Sequence, residues 1–240
     1  MSYTLGMRKP YPAHLGTFER IRCWLVDGTW IRNHADVDFT NGAHHFTRSY
    51  IPAGEVWIDR EAPGAGELDF LCHHQLHERA LMGRGVPYLQ ALARANRIER
   101  RERRAELLAP RLPVAQSRAL VLKTPLAQLD GDEIWIVAGR AVRDRFAPNF
   151  THGGHHWRYR FIPRRHIWID DAVAERELDF TLAHEAHELE LMRAGMSYDE
   201  AHEHALAVEK SMRRAWTKKL IVRLPRLRAA RRLQRLARLS

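Results

Sequence analysis

The sequence predicts an α+β protein made by tandem duplication, each copy β-hairpins followed by two helices, with a basic helical C-terminal tail. Three observations lead there. Residues from Trp24 to Ala65 match those from Trp135 to near Glu175 at an offset of 111, and Glu67–Arg104 matches Glu177–Arg214 at 110. A repeat at fixed offset implies two copies of one folding unit. In each copy the apolar period changes from two to 3.6, the switch from strand to helix. Glycine then follows one helix, at Gly85 and Gly195, and in copy two Ser197 with Glu200 three residues on opens the next as a capping box.

Taken in order, copy one occupies residues 1–106, a linker 107–129, copy two 130–212 and a basic tail 213–240. Cys23–Arg32 and Ile134–Arg143 read as β-hairpins turning at Asp27-Gly28 and Ala138-Gly139. A Gly-His-His segment follows in each, then a strand through Ile51-Pro52 or Ile162-Pro163 that ends in Val56–Asp59 or Ile167–Asp170. Helices are expected over 67–82 and 177–192, and again from Pro87 and Ser197. Pro110 and Pro113 mark the linker, and Pro225 breaks or kinks the tail. Trp57, Trp168, Ile58, Ile169, Leu81, Leu191, Met82 and Met192 are expected in the cores. Asp59 and Asp170, at strand ends, are expected to cap or turn the chain, and Asp69 and Asp179 to complement a helix dipole.

Composition narrows the function. At 240 residues and 45% hydrophobic the chain can bury two modest cores. Its net charge of +10 is uneven: residues 213–240 hold eleven Lys/Arg and no acid, leaving 28 basic against 29 acidic side chains elsewhere. Cys23 and Cys72 align with Ile134 and Leu182, so they read as small core residues rather than a disulfide. No signal-peptide pattern and no 18-residue apolar stretch is found, and a cytoplasmic setting is expected.

The chemistry gathers on one helix. His184-Glu185-Ala186-His187-Glu188 places His184 and Glu188 one turn apart on a shared face, with His187 flanking them. Imidazole and carboxylate on adjacent turns suit zinc, with iron or manganese possible. Glu185 stands beside them, where it can take a proton from water. The following helix carries Glu200, His202, Glu203 and His204, any of which can complete a ligand set.

The run "IWID", then "LDFTLAHEAHE", then "DEAHEHA" resembles a small zincin-type metallopeptidase domain, over about 50 residues of copy two. The resemblance implies His184 as first ligand, Glu185 as general base and Glu200 as third ligand, with His202 as competitor. Glu188 stands where the family's HExxH motif has its second histidine, and His187 sits one residue early.

Copy one has Gln75 for Glu185, Gln90 for Glu200 and Leu92 for His202, while His74, His77 and Glu78 remain. Glutamine keeps the shape of glutamate but neither accepts the proton nor carries the charge. Copy two therefore reads as the working lobe and copy one as a degenerate lobe. The paired histidines His44-His45 and His155-His156 either order their loop or line the cleft, where His155 or His156 would steady an oxyanion.

Two functions lead, with a third possibility that neither cluster binds metal and the lobes form a partner-recognition surface. The first is a metal-dependent, zincin-like hydrolase acting on a peptide or amide bond, with Zn²⁺ held by His184, Glu188, Glu200 or His202, flanked by His187. The second is a non-catalytic protein stapled by metal. In either case the tail, with Leu220, Leu224, Leu227, Leu233, Leu236 and Leu239, can meet nucleic acid non-specifically, an anionic membrane surface or a protein partner.

Overall fold

A computed structural model of the chain describes residues 11–61, 66–107 and 112–217. Among the described residues it is α+β, with two four-stranded mixed sheets and seven helices in two similar halves. Copy one runs β1 (Ala13–Phe18), β2 (Ile21–Val26), α1 (Gly28–His34), β3 (Gly42–His44), β4 (Glu55–Asp59), α2 (Leu68–Gly83) and α3 (Tyr88–Leu107). After α4 (Val114–Val121), copy two runs β5 (Leu122–Leu129), β6 (Asp132–Val137), α5 (Gly139–Arg145), β7 (Gly153–His155), β8 (His166–Asp170), α6 (Glu175–Arg193) and α7 (Tyr198–Thr217). Strand orders are β1-β2-β4-β3 and β5-β6-β8-β7, with the central pair parallel in each sheet. The registers correspond: Trp24 faces Trp57 and Trp135 faces Trp168.

Alternation along β4 explains the layers. Val56 and Ile58 pack with Cys23, Leu71 and Cys72 under α2, whereas Trp57 joins Val26, Ile31, Phe39 and Ile51 on the other face. Cys23 and Cys72 are free thiols in the first of these clusters. Copy two repeats the scheme, with Ile167 and Ile169 on one face and Trp168 on the other. Leu81, Met82, Leu191 and Met192, at helix ends, are only half-buried.

Three boundaries differ from the sequence reading. The expected hairpins at Asp27-Gly28 and Ala138-Gly139 are strand-to-helix junctions. Asp27 caps α1 by accepting from the Trp30 amide, and Gly28 is glycine because a β-carbon there would lie 1.9 Å from Asp59. The true hairpins turn at Glu19-Arg20 and Asp130-Gly131, all four residues with positive φ. The expected linker 107–129 contains α4 and β5, and Arg213, assigned to the tail, is a buried residue of α7. The tail leucines lie outside the described residues. Among the described residues no helix is long and apolar enough to cross a membrane.

The halves are joined by a buried, pseudo-twofold charge network. Arg32 of copy one binds Asp59 of its own strand at 2.7 Å and Glu177 of copy two at 2.9 Å. Arg143 of copy two repeats this with Asp170 and Glu67 of copy one. Each bridging glutamate is also held by its own long helix, Glu67 by Arg103 and Glu177 by Arg213. Burial alone would raise the Glu177 carboxyl, but the guanidinium groups of Arg213 and Arg32 hold it down at about 2.

That depression links stability to pH. A carboxyl with a folded pKa near 2 and an ordinary value of 4.5 contributes stability above 4.5 that is lost as pH falls toward 2. At 1.36 kcal/mol per unit the contribution is at most about 3 kcal/mol. Thermal melts between pH 6 and pH 3 should therefore fall more steeply for the wild type than for Glu177→Gln. Equal slopes would remove Glu177 from the acid response.

Candidate metal centre

The cleft between the halves, roughly 490 Å³, is lined by α2, α3, α6 and α7 and by the segments after α1 and α5. The sequence places three donors there from two antiparallel helices. On α6, His184 and Glu188 share a face at i, i+4. On α7, His202 sits one turn inside a helix whose start is fixed by the capping box, Ser197 N–H donating to Glu200 and Glu200 N–H to Ser197 Oγ. Both helix connections are set by Gly85 and Gly195 at positive φ.

Three potential ligand atoms converge. His184 Nε2 lies 3.2 Å from His202 Nδ1 and 3.6 Å from Glu188 Oε2, and His202 Nδ1 lies 2.8 Å from that same oxygen. Ligand atoms about 2.0–2.2 Å from a tetrahedral zinc stand roughly 3.3 Å apart, so these separations bracket the required spacing. The outer nitrogens are committed elsewhere. His184 Nδ1 faces the buried Glu209 at 3.0 Å, and Glu209 is gripped by Arg213. His202 Nε2 faces Asp38 of copy one at 3.4 Å, and Asp38 is gripped by Arg48. A carboxylate taking the proton of one ring nitrogen leaves the other nitrogen's lone pair aimed inward, the arrangement that orients histidine on a metal. The residues present therefore fit a divalent cation.

Electrostatics agree with this donor set. Burial would lower His184, yet Glu188 and Glu209 raise it to about 10; burial would lower His202, yet Asp38 and Glu188 raise it to about 9. Burial would raise Glu188, but hydrogen bonds from His155, His184 and His202 drive it far down. The cluster stabilises positive charge. Glu185 behaves differently: burial, then repulsion by Glu188, raises it to about 7, and it makes no hydrogen bond among the described residues.

Several expected site residues lie elsewhere or have other duties. Glu200 is exposed and spent on the Ser197 cap, so it does not reach His184. His187 points off the other side of α6, into an apolar groove with Leu129, Ile134 and Met212. His155 is fully buried with Nε2 on Glu188 Oε1 at 2.9 Å, which fixes that carboxylate rather than offering a donor to an oxyanion. His156 packs beside Trp157, away from the cleft. Glu203 and His204 are exposed on α7. Asp38, Glu209 and Arg213 were not singled out from the sequence. Glu209 and Arg213 had a signal, since Glu99 and Arg103 recur at the same places in copy one.

Copy one keeps the scaffold but not the three-donor cluster. His74 binds Glu99 at 2.7 Å, Glu99 is held by Arg103, and His44 binds Glu78 at 3.1 Å. Leu92 replaces His202, Gln75 replaces Glu185, and Asn149 stands where Asp38 stands beside the copy-two cluster. Among the described residues, the groups of three metal-ligating side chains all lie in copy two: His184, Glu188 and His202, and His155, Glu185 and Glu188. No family model, curated protein or solved structure matches the chain.

Proposed function

We propose that copy two holds a divalent cation, zinc by its donor chemistry, on His184, Glu188 and His202, and hydrolyses a peptide or amide bond. Iron or manganese could use the same donors. The observation that carries this reading is the convergence of three donors, two of them histidines backed by carboxylates, the buried Glu209 and the partly exposed Asp38, beside a glutamate that makes no hydrogen bond among the described residues. When bound, the ion supplies Lewis-acid polarisation of a carbonyl and acidifies water.

The chain's own residues do the rest. Glu185 accepts a proton from the attacking water and returns it to the leaving amine. His155 holds Glu188 in register from behind. Asp38, reaching from copy one, fixes the ring of His202, so the working site needs both halves. What favours an enzyme over a metal staple is that this cluster lines an open cleft rather than a closed core.

The resemblance to zincin-type domains fits the placement of His184 and Glu185, with His202 rather than Glu200 as the ligand from the later helix. The test is hydrolysis of a quenched fluorescent peptide mixture. Activity should vanish on treatment with a zinc chelator and return on adding zinc. Hydrolysis indifferent to the chelator, or none by the zinc-loaded protein, contradicts the proposal.

A further inference from the structure

Among the described residues three guanidinium groups line the cleft, those of Arg32, Arg48 and Arg158. Two are consumed by structure: Arg32 binds Asp59 and Glu177, and Arg48 binds Asp36 and Asp38. Arg158 differs. It is exposed, and among the described residues no carboxylate lies within ion-pair distance of it. Its guanidinium instead lies 4.3 Å from the ring of Tyr198, which stacks on His202 with centroids 5.4 Å apart. A column of His202, Tyr198 and Arg158 thus connects the donor cluster to a cation open to the cleft. At roughly 3.5 Å per extended residue, one to three peptide residues would span that column.

The duplication supplies an independent comparison. Arg158 follows the His-His segment of copy two, where copy one has Thr47. The tyrosine is kept in both, as Tyr88 and Tyr198. The arginine is therefore present where Glu185 and His202 are present, and absent where Gln75 and Leu92 replace them. A planar guanidinium held over an aromatic ring and hydrogen-bonded to Tyr198, with no carboxylate partner of its own, keeps further N–H donors suited to bidentate recognition of a carboxylate.

We propose that Arg158 receives the free C-terminal carboxylate of a peptide substrate, so that the site works at chain ends. The proposal rests on the hydrolase reading of the same cleft. Its test is binding to the full-length, zinc-loaded protein carrying Glu185→Gln, followed by calorimetry with acetyl-Ala-Ala, its C-terminal amide, acetyl-Glu-amide and inorganic phosphate. The free acid should bind about tenfold or more tightly than its amide, and Arg158→Gln should erase that difference.

Equal affinity for acid and amide overturns the proposal. So does acetyl-Glu-amide or phosphate binding as tightly as the free acid, because either would make the site a general anion subsite. Metal content measured on the same samples separates this proposal from the hydrolase reading. Metal bound without acid preference sinks the carboxylate site alone. An Arg158-dependent acid preference without bound metal upholds it and sinks the metal centre.

Discussion

Glu185→Gln is expected to lower peptide or amide hydrolysis roughly 10²–10⁴-fold, the usual contribution of a positioned proton carrier, while leaving metal content unchanged. Glutamine preserves the volume of Glu185 and removes only its capacity to take a proton. The surroundings accept the change, since Gln75 fills the equivalent place in copy one, facing Gly42 as Glu185 faces Gly153. Glu185 donates nothing to the three-donor cluster of His184, Glu188 and His202, so the cation should stay. Steady-state kinetics beside elemental analysis separates the two effects. Unimpaired turnover would remove Glu185 from the mechanism, and loss of metal would make it a ligand instead.

The other large effect concerns His202. His202→Leu copies the residue of copy one, Leu92, so the helix pair tolerates it by precedent within the chain. It deletes one of three donors and should weaken zinc binding by a hundredfold or more on the same reasoning that makes ligand count decisive at such sites. Asp38→Asn removes only the carboxylate behind His202, at 3.4 Å, and should cost roughly 10–100-fold. The graded pair distinguishes a ligand from the residue that orients it.

Much of this was legible in the sequence because periodicity and repetition are local properties. The two helix pairs, their glycine ends and the Ser197 cap appear where the 3.6 period and capping box place them. The failures have physical causes. Asp27-Gly28 looks like a hairpin turn, yet the aspartate caps a helix and the glycine clears space for Asp59. Pro110 and Pro113 suggest a linker over 107–129, but α4 and β5 lie within it, and β5 is an edge strand that tolerates Pro125 beside a register shift.

Glu200 carried two incompatible readings, cap and ligand, and the cap won because Ser197 is three residues away while His184 is across the helix pair. Counting turns puts His187 beside His184 and Glu188 without deciding between two faces of α6, and its side chain lies on the face with Leu129, Ile134 and Met212. Asp38 was out of reach for a different reason. Its role exists only across the contact between halves, and no pattern within one copy reports that contact. The same holds for Arg32 and Arg143, whose partners Glu177 and Glu67 belong to the other half.

The measurement that bears most directly on the centre is zinc titration of the purified, metal-stripped protein, read by competition with a chromophoric chelator. One equivalent per chain is expected to bind tightly, to be weakened strongly by His202→Leu, and to be unaffected by His74→Ala in copy one. Stoichiometric zinc binding that ignores His202→Leu, or no binding at all by the folded wild type, would contradict the account.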